Sequence, residues 1–167
     1  WTKEELHALA ELAVRKDMII ISDEIHQDLV YSDAKHISIA SLSDEIAART
    51  VTFVAPSKTF NIAGMNSSVA IIPDEKLRGC YMSVMNRLHL SSLSILGLTA
   101  METAYSKCAA WLDELMAYLE DNRTFTEKFV KERLPKARME YPEGTYVFWI
   151  DYRGYGFESE TLMDFLV

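Results

Sequence analysis

Cysteine is scarce in this chain of 167 residues, which contains two, Cys80 and Cys108. Neither belongs to a CxxC pair, and each lies in a segment of helical character. We therefore expect two reduced, largely buried thiols, as in a cytosolic protein. His7, His36 and His89 are not spaced as ligands beside acids or cysteines, so the sequence predicts no metal site.

Long apolar runs are also missing. No stretch approaches the roughly 18 residues that a membrane-spanning helix needs, and no signal peptide is visible. The formal net charge of −8 gives no reason to expect contact with nucleic acid or with an anionic membrane. The sequence has neither the GxSxG elbow of α/β-hydrolases nor the GKS/T end of a phosphate-binding loop.

The first part of the chain alternates between helical and strand patterns, which predicts an α/β fold. A helix over residues 1–17 has Thr2 as its cap, and Glu5 completes a capping box. Short β-branched runs then predict strands at 18–21, 51–55 and 69–72. The first of them is apolar throughout, as in a parallel sheet whose strands are buried on both faces.

After residue 74 the pattern is mainly helical. It predicts a helix over 74–89, a second over 92–107 capped by Ser91 or Ser92, and a long helix over 109–134. Two strands follow, at 138–141 and 145–151, joined by a turn at 142–144. The final helix begins near Ser159 and stops at Val167 without a packing partner, so we expect the chain to be a piece of a longer protein.

Polar side chains follow two of the predicted strands. Asp23 and His26 come after the first strand, and Ser57 and Lys58 come after the second. Parallel strands end at one edge of a sheet, which is where open α/β sheets bind ligands. Pyridoxal 5′-phosphate needs an amine that holds it, a carboxylate for its pyridine nitrogen, and groups for its ring hydroxyl and phosphate. These four residues can supply such groups.

Each of the four residues also has an ordinary structural interpretation. Asp23 suits a turn or a helix cap, and Lys58 suits the protein surface. His26 can be a structural histidine, and Ser57 can form a turn after a proline. Residue types and spacing alone favour these ordinary roles for each residue taken singly, so both interpretations remain open at this level.

The order of four segments favours the cofactor interpretation. The segments are SDEIHQDLVYSDAKHISIASL, TFVAPSKTFNIAGMNSSVAIIP, LSSLSILGLTAMETAYSKCAAWLDELMAYLEDN and YPEGTYVFWIDYR. Together they resemble the fold-type-I pyridoxal-phosphate enzymes of the class I/II aminotransferase superfamily. Within that superfamily they are most similar to the cystathionine β-lyase, or C–S lyase, branch typified by the MalY and PatB proteins. The resemblance covers nearly the whole chain.

The resemblance assigns a role to each candidate residue. It implies that Lys58 holds the cofactor covalently and acts in catalysis, and that Asp23 pairs with the pyridine nitrogen. His26 stands where many relatives have a tyrosine near the ring hydroxyl, and Ser57 is implied as a phosphate contact.

Two positions depart from the wider aminotransferase pattern. Ala55 stands where many relatives have serine, and Asn66 stands where many have arginine. The implied phosphate site therefore has fewer side-chain contacts than that of aminotransferases, and this favours the lyase branch.

The resemblance also implies a domain organisation. Residues 1–108 correspond to the later part of the large cofactor domain, a mostly parallel sheet with helices. Residues 109–134 form the connecting helix, and residues 135–167 begin a small α+β domain. The glycine-containing phosphate loop and the arginine for the substrate carboxylate fall outside this chain, so we predict that the isolated chain has weak activity or none.

The implied function of the intact protein is β-elimination from a small amino-acid substrate such as cystathionine, giving a thiol, pyruvate and ammonia. An aminotransferase of amino acids is the alternative, and a regulatory or binding role without catalysis by this chain is a third possibility. The family further implies a cytoplasmic homodimer.

Overall fold

The computed structural model describes residues 1–90, 92, 94–157 and 159–166 of the chain. The helices are α1 (Lys3–Arg15), α2 (Asp44–Ala48), α3 (Pro56–Thr59), α4 (Glu75–Arg87), α5 (Ile95–Lys107), α6 (Ala109–Arg133) and α7 (Ser159–Leu166). The strands are β1 (Ile20–Asp23), β2 (Thr50–Val54), β3 (Val69–Ile71), β4 (Arg138–Met139) and β5 (Ile150–Asp151).

Helix α1 begins as the sequence predicts. The Thr2 hydroxyl accepts a hydrogen bond from the Glu5 backbone nitrogen at 3.2 Å, and the Glu5 carboxylate accepts one from the Thr2 nitrogen at 2.7 Å. This reciprocal pair is the predicted capping box, which satisfies two otherwise unpaired donors of the first turn. The apolar face of α1 then packs Leu6 and Ala10 against Ile39 and Ile46.

Strand β2 is the middle strand of a three-stranded sheet with the order β1-β2-β3. β1 and β2 are parallel, with Asp23 opposite Phe53, and the Glu24 nitrogen continues the ladder by donating to the Phe53 carbonyl at 2.9 Å. β3 runs antiparallel to β2. The sheet therefore mixes both directions, and the parallel pair brings the ends of β1 and β2 to one edge.

The predicted bounds and burial of the first strand are wrong. β1 extends through Ser22 and Asp23, because its ladder with β2 continues to Phe53, whereas Met18 and Ile19 precede it. Ile21 is 72% exposed. Burial alternates along β1, with Ile20 and Ser22 half-buried on one face and Ile21 and Asp23 exposed on the other, so no described element covers the second face.

A one-turn helix, α3, follows β2 where the sequence pattern predicts only a strand end. Pro56 occupies the first turn of α3, where its fixed backbone angle favours a helix and its missing N–H is not needed. Lys58 lies on this turn, and Thr59 ends it. The lysine is therefore carried by a short helix and not by an irregular loop.

The three helices predicted after residue 74 are present with shorter ends. Asp74 caps α4 by accepting from the Leu77 nitrogen at 2.7 Å. Ser94 caps α5 by accepting from the Gly97 nitrogen at 3.5 Å. The predicted cap at Ser92 is wrong, because α5 begins only at Ile95, and Ser91 lies outside the described residues.

The two cysteines are less buried than the sequence predicts. Cys80 is exposed on α4, and Cys108 is half-buried at the junction of α5 and α6. Helix α4 contains no buried residue, so a cysteine on it stays accessible.

The structure contains no helix, within the parts of the chain it describes, with the length and apolar character of a membrane span.

The predicted hairpin at 138–151 is much shorter in the structure, because its middle pairs elsewhere. β4 and β5 are antiparallel but have two residues each. The Tyr31 nitrogen donates to the Glu143 carbonyl at 3.0 Å, and the Thr145 nitrogen donates to the Leu29 carbonyl at 2.7 Å. A Cβ at Gly144 would lie 2.6 Å from the Leu29 carbonyl oxygen, so this close approach requires glycine.

Candidate functional site

Asp23 is the last residue of β1, and its side chain is exposed. Its Oδ1 accepts a hydrogen bond from the Ile25 nitrogen at 3.3 Å, which makes Asp23 the first residue of a turn. One carboxylate oxygen thus stabilises the turn, and the remaining acceptor capacity of the carboxylate is available to a ligand.

Lys58 and Ser57 come from the neighbouring strand. They lie on α3, directly after β2, with Lys58 exposed and Ser57 half-buried. Because β1 and β2 are adjacent and parallel, the segment after Asp23 and the turn that carries Lys58 both leave the sheet at its carboxyl edge. Such an edge is the usual ligand position in open α/β sheets.

Two of the four predicted residues line one cavity. Asp23 and His26 line a cavity of about 410 Å³, whose lining also includes Glu143, Gly144 and Thr145. Ser57 and Lys58 are not among the described residues that line it. Contact of one cofactor with both pairs therefore stays a prediction.

His26 has an unsatisfied polar atom in this region. Its Nδ1 is buried and has no hydrogen-bond partner among the described residues. The ring meets Tyr146 edge to face, with 5.8 Å between the ring centroids. A buried ring nitrogen without a partner is unfavourable, so this atom suits a ligand group that hydrogen-bonds to it.

Glu24 is a second acid of the site that the sequence motifs did not single out. It is 6% exposed. The Ser22 and Ser38 hydroxyls each donate to its Oε1 at 2.8 Å, and His36 Nε2 lies 3.0 Å from its Oε2. A buried carboxylate needs such partners, so Glu24 fixes the chain next to Asp23 to the segment that contains residues 36–38.

Asp28 is a further acid that the sequence analysis missed. Its Oδ2 accepts from the Thr59 hydroxyl at 2.9 Å and from the Tyr105 hydroxyl at 3.3 Å. Burial raises the pKa of Tyr105 to about 12, with the charge of Asp28 and this hydrogen bond adding to the effect. Asp28 lies inside the SDEIHQD segment, but nothing in its local sequence indicates a partner 31 residues away.

Arg123 connects helix α6 to two segments beside the cavity. Its guanidinium is buried and donates to the Asp33 carboxylate at 3.0 Å and to the Pro142 carbonyl at 3.0 Å. Its central carbon lies 4.0 Å from the ring centre of Tyr31 and 4.2 Å from that of Tyr141. These contacts hold the turn at 142–145 close to the segment that follows β1.

The similarity of this chain to known proteins extends over nearly its full length. The family profile described as Aminotransferase class I and II matches residues 1–165. Cystathionine beta-lyase PatB of Bacillus subtilis strain 168 is 43% identical over 162 residues, which are 97% of this chain and 42% of PatB. Protein MalY of Escherichia coli K12 is 34% identical over an alignment of 168 positions, which covers 100% of this chain and 42% of MalY.

A solved structure has the same fold. Cystalysin of Treponema denticola, whose crystal structure contains a pyridoxal 5′-phosphate cofactor, matches with a TM-score of 0.96 at 32% sequence identity. The match covers 99% of this chain and 42% of the cystalysin chain. The α/β fold expected from the sequence is thereby confirmed, and the chain spans about two fifths of the length of these relatives.

Proposed function

Because the chain belongs to the class I and II aminotransferase family, we propose that the intact protein is a pyridoxal-phosphate-dependent C–S β-lyase. It would act on cystathionine or cysteine conjugates and release a thiol, pyruvate and ammonia. The observation that carries this proposal is the exit of Asp23 and Lys58 from adjacent parallel strands at one sheet edge. The 43% identity to a cystathionine β-lyase supports the choice of reaction.

The described residues fit the proposed cofactor chemically. Lys58 offers an exposed amine, Asp23 an exposed carboxylate and Ser57 a half-buried hydroxyl. The buried Nδ1 of His26 lacks a partner among the residues described. In pyridoxal phosphate, an amine holds the aldehyde and a carboxylate pairs with the pyridine nitrogen. A hydroxyl suits the phosphate, and the histidine nitrogen suits the ring hydroxyl.

When bound, the cofactor supplies an electron sink for the negative charge that develops on the α-carbon of the substrate. Asp23 favours this role by keeping a proton on the pyridine nitrogen. Lys58 holds the cofactor between turnovers, and its free amine takes the α-proton as a general base, a contribution of roughly 10²–10⁴-fold in rate. His26 orients the pyridine ring of the cofactor by hydrogen bonding to the hydroxyl group on that ring.

Incubation of the intact protein and pyridoxal phosphate with cystathionine tests the proposed reaction. We expect pyruvate and ammonia to form in equal amounts, continuously and without an added keto acid, because elimination followed by hydrolysis consumes no second substrate except water. A coupled lactate dehydrogenase assay measures the pyruvate, and substrate lacking the sulfur leaving group is the control.

Transamination is the second candidate reaction, because the family that the chain matches is that of the class I and II aminotransferases. An aminotransferase would convert the cofactor stoichiometrically to its amine form when given an amino acid, and would need a keto acid to turn over. That behaviour, with no pyruvate from cystathionine, would contradict the lyase assignment.

We further propose that the intact protein is a cytoplasmic homodimer. Apolar side chains are exposed after the end of α4, at Leu88 (56%) and Leu90 (58%), and at the first residue of α5, Ile95 (81%). A second subunit would remove this apolar surface from water. The two unpaired cysteines are compatible with a reducing compartment.

We also propose three segments for the domain organisation. The large domain comprises residues 1–108, the connecting helix residues 109–134, and the small domain residues 135–167.

A further inference from the structure

Asp28 joins three parts of the structure through a single carboxylate oxygen. Its Oδ2 accepts from Thr59 at the end of α3 and from Tyr105 on α5, at 2.9 and 3.3 Å. Asp28 itself belongs to the short segment after β1 that also carries Asp23 and His26. The carboxylate therefore connects that segment to the turn that bears Lys58.

The segment from Asp23 to Asp28 is held as a unit. The Gln27 nitrogen donates to the Glu24 carbonyl at 3.0 Å, and the Leu29 nitrogen donates to the His26 carbonyl at 3.0 Å. These successive turns fix the position of Asp28 relative to Asp23. A contact that fixes Asp28 therefore also fixes Asp23, whose carboxylate we propose faces the pyridine nitrogen.

The turn that carries Lys58 is short, and buried side chains at Pro56 and Thr59 anchor it. Helix α3 has four residues, and an isolated single turn of helix has little stability of its own. Thr59, the residue after Lys58, is completely buried, and its hydroxyl donates to Asp28. Loss of the acceptor would leave a buried hydroxyl unsatisfied, which favours a shift of the turn.

Tyr105 reinforces the same connection from α5. A tyrosine hydroxyl is protonated at neutral pH, and that of Tyr105 donates to Asp28. Its ring packs edge to face against Phe60, with 5.4 Å between ring centroids, and Phe60 lies 6.0 Å from Trp111. The aromatic cluster therefore holds the end of α3 that Asp28 also binds.

We propose that Asp28 is a positioning residue: through Thr59 it sets the placement of the Lys58 amine relative to Asp23 and so governs how readily the lysine captures the cofactor. This inference rests on the proposed function. Asp28 touches neither substrate nor cofactor in this role and acts through the buried threonine.

The test measures capture of pyridoxal phosphate by Lys58 in the intact protein. Cofactor-free protein is mixed with pyridoxal phosphate, samples are reduced with borohydride at timed intervals, and the fraction of Lys58 modified is read by peptide mass spectrometry. Thr59→Val removes the hydroxyl at nearly constant volume, Thr59→Ser keeps it, and Thr124→Val on the exposed part of α6 is the matched control.

We expect Thr59→Val and Asp28→Ala to slow the capture roughly tenfold, the effect of losing about one charge-assisted hydrogen bond. Thr59→Ser and Thr124→Val are expected to react at the wild-type rate. Thermal unfolding of each variant accompanies the kinetics, because a purely structural role would change the unfolding temperature and leave the capture rate of the folded protein unchanged.

Wild-type capture rates in folded Thr59→Val and Asp28→Ala would overturn the inference and leave the proposed function intact. Equal slowing in Thr59→Ser and Thr59→Val would also overturn it, since the hydroxyl would then be irrelevant. Absence of cofactor on Lys58 in the wild-type protein would instead refute the proposed function, and the positioning role would fall with it.

Discussion

Replacement of Lys58 by alanine in the intact protein is expected to lower kcat/KM for β-elimination by at least about 10²–10⁴-fold. The substitution removes the amine that we propose takes the α-proton, and it also removes the covalent attachment of the cofactor. Steady-state pyruvate release at saturating pyridoxal phosphate measures the loss. Lys58 is exposed on a one-turn helix, so its truncation leaves no cavity in the core and the protein should stay folded.

Lys128→Ala is the matched control for this substitution. Lys128 is exposed on α6 and belongs to neither of the segments that follow β1 and β2, so its replacement is expected to leave the rate unchanged. A Lys58→Ala protein that still released pyruvate at a rate within a few-fold of the wild type would show that another group is the base. In that case Lys58 would be the ordinary surface lysine that its residue type alone suggests.

Arg123→Ala is expected to have the largest effect on stability, about 2–5 kcal/mol in the free energy of unfolding. The substitution leaves a cavity between the Tyr31 and Tyr141 rings and removes the donors to Asp33 and to the Pro142 carbonyl. Urea unfolding of the intact protein, compared with the wild type, measures the loss. Arg123→Lys keeps the charge but not the planar fork, so an intermediate loss is expected.

Arg133→Ala provides the control for the arginine series. Arg133 is exposed in the last turn of the same helix, and its replacement should change stability by no more than about 0.5 kcal/mol. Unfolding curves of Arg123→Ala and Arg133→Ala that coincide would contradict the role given to Arg123.

The ion pair of Arg123 also has a defined pH dependence. Its hydrogen bond lowers the pKa of Asp33 below the ordinary value of 3.8. A depressed carboxyl pKa stabilises the fold at pH values above the pKa of the unfolded state, and the contribution disappears as the pH falls through the lower folded value. The difference between wild type and Arg123→Ala should therefore shrink in acid.

The elements that the sequence predicts well are those with local signals. The capping box of α1 involves residues three apart, and the long helix α6 follows from helical spacing and the proline after it. Both of these depend on neighbours in the chain. The edge shared by the ends of β1 and β2 depends instead on the pairing of Ile20 with Thr50, and the sequence indicates it only through the general preference of α/β folds for parallel sheets.

The features that the sequence does not predict depend on distant partners. Thr59 and Asp28 are 31 residues apart, and Arg123 and Asp33 are 90 residues apart. The short hairpin has the same origin, since the turn at 143–145 pairs with residues 29–31 and not with its own neighbours. Apolar composition was misleading at β1 for a related reason: burial depends on which elements cover a strand, not on the strand itself.

A crystal structure of the intact protein with pyridoxal phosphate tests the central claim most directly, because that claim joins two side chains through one ligand. We predict continuous density between the Lys58 amine and the cofactor, with the Asp23 carboxylate within hydrogen-bonding distance of the ring nitrogen. A cofactor bound through a different lysine, or a ring nitrogen facing away from Asp23, would contradict the account.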